Sequence, residues 1–266
     1  MNHEYFNKSM KVVAHRGDSA FFPENTLQAF KSAADLGVDC LETDVHLSRD
    51  GVCVIWHDNT LERLTGESGL VSDRTYEELL SMDAGRLFTS NNGETFPFRG
   101  KGVTITTLDD VLKTIPHMRF NVDLKDNNPE LVKEFAKVVR SNKAQNRVLG
   151  ASFFHNMVKQ IRTYIPEIAT SFSQKEMTKV VILSKLGLLG LSNHFPAQAA
   201  QIPEYKGKLR IITNSLIKTL HKKGVMIHVW TINDKAEMLR LFKMGVDTIM
   251  TDNPRLLIET IKEIKS

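Results

Sequence analysis

Valine- and isoleucine-rich runs of strand length alternate with amphipathic helical stretches from one end of the chain to the other. This alternation constrains the fold more than any other feature. The strand candidates are KVVAH (11–15), VDCLETDVHL (38–47), GVCVIWHD (51–58), RFNVDLK (119–125), RVLGASF (147–153), EIATSF (167–172), VMIHVWTI (225–232) and VDTIMTD (246–252). Helical patterns lie between most of them: NTLQAFKSAADLG (25–37), stopped by Gly37; PELVKEFAKVVRSN (129–142), with Pro in its first turn; and DKAEMLRLFKMG (234–245), again ended by Gly. Eight strands with intervening helices predict an α/β chain, a (β/α)8 barrel occupying residues 1–266 as a single domain. A doubly wound open sheet is the alternative. Residues 190–213 leave room for one further strand.

Two stretches echo each other: LGVDCLETD (36–44) and MGVDTIMTD (244–252), each a helix-ending Gly followed by a Val-Asp strand that finishes in Thr-Asp. Residues 59–107 break the rhythm, with loop signals in TGESGL and TSNNGE. They are too long for a simple connection. They predict an insertion after the third strand, on the side where barrel active sites lie. VVILSKLGLLGL (180–191) is broken by Ser184 and Lys185, too short for a membrane span, and predicts a buried helix passing into a strand. A membrane-surface role for it is the alternative.

With 41% hydrophobic residues the chain can build a large core. A net charge of +4, from 35 basic and 31 acidic residues, is too mild for a nucleic-acid binder, and no basic run is long enough to track phosphates. The N-terminus MNHEYFNKSM has no apolar signal region, which points to the cytoplasm. Cys40 and Cys53 sit in apolar strand surroundings and read as two buried, reduced thiols.

The polar residues fall in a pattern. Glu42 and Asp44 are i, i+2 on the second strand; Asp123 and Lys125 are i, i+2 on the fourth. In a strand such pairs point the same way. Three carboxylates converging at the strand C-terminal ends suit a hard divalent cation with oxygen ligands, Mg²⁺ or Ca²⁺. The alternative is an outer-face ion pair in which Lys125 answers Asp123. His15 ends the first strand and His57 the third, so both reach the same rim, where imidazoles serve as acid and base. Arg16 and Lys125 add cations suited to a phosphate. Metal, cations and a proton-transfer pair are the equipment for cleaving a phosphate ester. Glu24 either caps the helix that follows or bonds Arg16. Gly17 lets the backbone turn close to the ligand.

These residues fall in motifs: HRG (15–17), PENT (23–26), ETDV (42–45), HD (57–58) followed by LERLTG, DLK (123–125), WTIND (230–234) and TDNP (251–254). In order and over nearly the whole chain they resemble the glycerophosphodiester phosphodiesterase family. The resemblance implies a barrel enzyme that hydrolyses small-molecule glycerophosphodiesters to an alcohol and glycerol 3-phosphate with one bound Ca²⁺ or Mg²⁺. It implies His15 and His57 as the acid/base pair, Glu42, Asp44 and Asp123 as metal ligands, and Arg16 and Lys125 on the phosphate. The substrate's own glycerol hydroxyl would be the nucleophile, through a cyclic phosphate. The third acidic ligand is usually Glu in the family and here is Asp123. Trp230 is either an apolar wall against the glycerol or plain core. His155 and His194 match no family role and read as loop or surface residues. The stretch KLGLLGLSNHFPAQAAQIPEY resembles relatives acting on lysophospholipids, a lysophospholipase D alternative with peripheral membrane contact.

Overall fold

The computed structural model describes residues 3–192 and 195–265. Its sheet is a ring of parallel strands: β1 (Val12–His15), β2 (Cys40–Leu47), β4 (Phe120–Leu124), β5 (Val148–Ala151), β6 (Ala169–Thr170), β7 (Ala199–Ile202), β10 (Met226–Val229) and β11 (Thr248–Thr251). Neighbours follow sequence order, and β11 returns to pair with β1. Between β6 and β7 the ring closes through the bridge of Ser171 to Ala199. This is the (β/α)8 barrel.

Two strand assignments change. β3 (Cys53–Ile55) is not a barrel strand; it pairs antiparallel with β2, setting Val45 opposite Ile55 and Leu47 opposite Cys53. The missing barrel strand is β7, inside residues 190–213. Its sequence AAQI has little β-branched character, so it sends a weak strand signal. The long excursion therefore leaves the second barrel strand, and β3 is its first part. It continues through α2 (Glu62–Thr65) and α3 (Tyr76–Leu80). Val54, Trp56, Leu61, Val71, Leu79 and Ile105 give it a small core of its own.

Local chemistry starts and stops the helices where the sequence predicts. α1 (Leu27–Asp35) is capped by Thr26, whose hydroxyl accepts from Ala29 N. α5 (Pro129–Ser141) carries Pro in its first turn and Asn128 as its cap, and buries Leu131, Val132, Phe135 and Val139 against the barrel. Each such large side chain contributes about 1.5–3 kcal/mol. α9 (Lys235–Met244) runs from the Asp234 cap to Gly245 in the left-handed conformation. The remaining helices are α4 (Leu108–Thr114), α6 (His155–Tyr164), α7 (Gln174–Lys185), α8 (Asn214–Lys222) and α10 (Pro254–Lys265), with a small hairpin of β8 (Tyr205–Lys206) and β9 (Leu209–Arg210) after β7.

The two echoing stretches flank β1 on either side. In each, the Asp after Val works at the barrel bottom: Asp39 accepts from Lys11 N and Val12 N, and Asp247 accepts from Ile227 N. Inside the ring, Val13, Cys40, Leu149, Ala169, Ala199 and Met250 form an apolar layer, plugged from below by Tyr5 and Met10. The Tyr5 hydroxyl meets Cys40 Sγ at 3.1 Å. Cys40 and Cys53 are buried free thiols, and burial pushes Cys40 up to about 12.

The stretch 180–191 departs from expectation. α7 ends at Lys185, a short 3-10 turn spans Leu189–Leu191, and among the described residues the next strand begins at Ala199. Ile182, Leu186, Leu188 and Leu191 are exposed rather than buried. One side of α7 packs on the barrel through Met177 and Val180, and the opposite side is exposed. Among the described residues, no helix is long and apolar enough to cross a membrane.

Candidate active site

Parallel pairing fixes the layers of the mouth. Register sets His15 beside Glu42, Glu42 beside Asn121, and Asp44 beside Asp123. The period of two aims Glu42, Asp44, Asn121 and Asp123 inward, and all four are buried. They open into a cavity of about 620 Å³. His15, Arg16, Glu42, Asp44, His57, Asp123, Lys125 and Trp230 all line it, and Glu24 does not.

His57 arrives by a different route from the one its position suggests. β3 runs back down toward the mouth, and Trp56 N donates to the Asp44 carbonyl. His57 is thus lowered onto the site by a returning hairpin, not presented by the end of a barrel strand. Buried His46 supports it: one ring nitrogen lies 3.2 Å from the His57 carbonyl, and Nδ1 lies 2.6 Å from Asp126.

Each mouth histidine is oriented by its own carboxylate. His15 Nδ1 is 2.6 Å from Asp252, and His57 Nδ1 is 2.6 Å from Asp58. A carboxylate at Nδ1 fixes the proton there and leaves Nε2 for exchange. Asn233 Nδ2 donates to Asp252 at 2.7 Å, and Ser19 Oγ at 3.3 Å. Their surroundings pull the two rings apart. Burial disfavours charge on His15, but Glu42 and the Asp252 bond outweigh it and raise its pKa. Burial lowers His57, and Arg16 and Lys125 oppose the pull of Asp44.

Arg16 sits with φ 58 and Gly17 with φ 86, a left-handed pair that turns the chain sharply after β1. A Cβ on Gly17 would lie 2.7 Å from backbone carbon of Ala29, so the tight approach is to α1 and not to a ligand. Arg16 Nε lies 3.1 Å from Asp44, and Nη1 donates to Glu24 at 2.8 Å. Glu24 also takes both terminal nitrogens of Arg63, at 2.9 and 2.6 Å, while Arg63 Nε binds Asp58. Glu24 therefore holds Arg16; the helix cap is Thr26. Asn25 donates to Asp44 at 2.9 Å. Trp230 is part-buried on the cavity wall, edge-on to the Phe153 ring. His155 begins α6 and meets Ser173 at 2.9 Å; His194 lies outside the described residues.

Burial sets the three acids apart. Burial, with Asp44 adding to it, raises Glu42 to about 7, and burial raises Asp123. Asp44 stays low, because Lys125 and Arg16 overcome its burial. Lys125 Nζ stands between Asp44 at 2.8 Å and Asp123 at 2.7 Å. With the side chains so placed, no three acid, histidine or cysteine groups among the described residues enclose an ion. The donor chemistry still fits a hard divalent cation: three buried carboxylates, two of which resist ionisation because burial disfavours their charge.

A model of the glycerophosphoryl diester phosphodiesterase family matches residues 15–256 of the chain. The chain belongs to that family. A glycerophosphodiester phosphodiesterase of Caldanaerobacter subterraneus is 34% identical over 95% of this chain and 98% of its own. The solved Oleispira antarctica phosphodiesterase, in complex with the product sn-glycerol-3-phosphate, superposes with a TM-score of 0.78 at 26% identity, covering 96% of this chain and 97% of its own. The human lysophospholipase D GDPD1 is 26% identical over 93% of this chain and 84% of its own.

The sequence alone does not single out Asp252, Asp58, Asn233, Arg63 or His46 as site residues. Asp252 and Asn233 lie within the TDNP and WTIND motifs, and Asp58 and Arg63 within the HD motif and its LERLTG sequel, which was their only signal. His46 has none, since it faces the hairpin and not the cavity.

Proposed function

We propose that this family member hydrolyses glycerophosphodiesters such as glycerophosphocholine or glycerophosphoethanolamine to an alcohol and sn-glycerol 3-phosphate. One observation carries the proposal: two histidines, each oriented at Nδ1 by a separate carboxylate, face one cavity beside buried Glu42, Asp44 and Asp123 with Arg16 and Lys125. Glu42, Asp44 and Asp123 would hold one Mg²⁺ or Ca²⁺. That ion supplies positive charge to the phosphoryl oxygens when bound.

The chain's own groups supply the proton transfers. His57, kept neutral, takes the proton of the glycerol 2-hydroxyl at Nε2 as that oxygen attacks phosphorus. His15, kept charged, gives its Nε2 proton to the departing alcohol oxygen. The product is a cyclic phosphate. Water then adds to phosphorus, His15 taking its proton and His57 returning one to the glycerol oxygen, which yields glycerol 3-phosphate. Arg16 and Lys125 hold the phosphate.

Replacing both His15 and His57 by Ala should reduce choline release from glycerophosphocholine by at least about 10³-fold. Equal turnover in wild type and double variant would remove the catalytic assignment. Calorimetric titration with Mg²⁺ and Ca²⁺ should show one site, lost in Glu42→Gln and Asp44→Asn. Full activity in EDTA, with no heat of metal binding, would remove the cation.

A second substrate class is favoured by the cavity's shape. Phe172, Met177, Val181, Leu209 and Ile211 extend an apolar wall from the mouth between α7 and the β8–β9 hairpin, more than a glycerol head group needs. Lysophosphatidylcholine, with one acyl chain, would use that wall. Choline release from it and from glycerophosphocholine, compared side by side, decides between the two.

A further inference from the structure

On the rim of the cavity, two segments combine exposed apolar side chains with a predominance of positive charge. Along α7, positions 175, 179, 182 and 186 share one face, because steps of three and four residues nearly complete turns of the helix. That face reads Lys175, Lys179, Ile182 and, just past the helix end, Leu186, basic at one end and apolar at the other. Ile182 is 53% exposed, Leu186 64% and Leu191 77%. The hairpin beside it adds Tyr205 and Leu209, each 49% exposed, with Lys206, Lys208 and Arg210. Lys185 Nζ donates to the Arg210 carbonyl at 2.9 Å, which ties the two segments into one surface.

The charge on this surface is one-sided. Its acids are Glu176 and Glu204, and both are engaged: Glu176 with Arg162 at 2.7 Å, Glu204 with Arg240 and Arg210. Five lysines, with Arg210 already paired to Glu204, therefore surround the apolar tips with no free carboxylate in either segment. An apolar surface meant for a second protein face would not need a uniformly basic border, whereas apolar side chains ringed by lysines, with a tyrosine at the boundary, suit an anionic lipid surface. Ile182 and Leu209 also line the cavity, so this surface is continuous with the mouth of the site.

We propose that the α7 face and the β8–β9 hairpin dock the enzyme on an anionic lipid bilayer, inserting Leu186, Leu188 and Leu191 at the headgroup level and turning the cavity mouth toward the membrane. The docking is independent of the chemistry proposed above, and its test measures binding alone.

The full chain is floated with phosphatidylcholine vesicles and with vesicles containing phosphatidylglycerol, at low and at high salt. Binding to the anionic vesicles, falling as salt rises, is the expected result. Two variants outside the cavity lining probe the two parts of the surface. Lys179→Gln with Lys208→Gln should weaken binding about fivefold for each charge removed. Leu186→Glu with Leu191→Glu should abolish it. Both should keep wild-type turnover of soluble glycerophosphocholine, which shows that they are folded. Equal binding to both vesicle types, no binding to either, or binding unchanged by both variants overturns the proposal. So does a lipid-free dimer in sedimentation that Leu186→Glu with Leu191→Glu dissociates, since the occupant would then be a second copy.

Discussion

His15 and His57 use Nδ1 in the same way, yet their carboxylates come from very different distances along the sequence. Asp58 is the next residue after His57, while Asp252 is brought to His15 from the other end of the chain. Asp252 touches His15 and does not line the cavity, so it acts by positioning. Asp252→Asn should lower kcat on the order of 10²-fold with KM little changed. Loss confined to KM would assign Asp252 to binding instead. His228 is a different kind of buried imidazole. It points into the barrel below Trp230, fully buried, and neither ring nitrogen has a hydrogen-bond partner among the described residues. Burial pushes it down to about 4. The unfolded chain, with an ordinary value of about 6.5, takes up a proton before the folded one does. Stability contributed by this residue is therefore intact above about pH 6.5 and is lost as pH falls toward about 4, by about 3 kcal/mol in all. Denaturant unfolding at pH 7 and pH 5 should show a smaller pH difference in His228→Leu than in wild type. Identical differences would show that His228 does not titrate in this range.

At the scale of elements, the antiparallel strand β3 and the short helix α2 carry into the site what a barrel strand could not. β3 supplies His57 from above, and α2 supplies Arg63, which clamps Glu24 and Asp58 together. Glu24 in turn holds Arg16 over Asp44. Arg63 is the outer, 45% exposed end of this chain of charges, where such pairs contribute about 0–1 kcal/mol to folding. Arg63→Met should therefore leave thermal unfolding within a few degrees of wild type while lowering kcat/KM about tenfold or more. A large drop in melting temperature with unchanged kcat/KM would make Arg63 structural only.

At the scale of the whole molecule, the barrel divides its labour by level. Polar groups gather at the strand C-terminal ends, an apolar layer fills the middle, and the N-terminal segment seals the bottom. Arg119 fastens that seal, donating to the carbonyls of Tyr5, Lys8, Ser9 and Asp39. Tyr5 is 1% exposed, so Tyr5→Ala leaves a cavity at the base and should cost about 3–5 kcal/mol. Because the mouth lies at the far end, active-site chemistry in the still-folded fraction should be unaltered. Unfolding in urea, paired with kcat at low temperature, separates the two effects.

The amino-acid sequence by itself determined the alternation of strands and helices, their caps, and the inward pair Glu42 and Asp44, because period and capping are local properties written in a few neighbouring residues. It also placed His15, Arg16, Asp123 and Lys125 at strand ends, since the site of a parallel barrel lies where its strands finish. It did not show the direction of β3, the Ala-rich β7, or the exposed face of α7. Those depend on which partner each segment meets, and a short apolar run reads the same in either direction and on either face. Only the tertiary structure decided that Asp252 reaches His15, that Glu24 serves Arg16 and not the helix cap, and that Lys125 stands between two acids. Such contacts join residues far apart in the chain, and they exist only once the ring has closed.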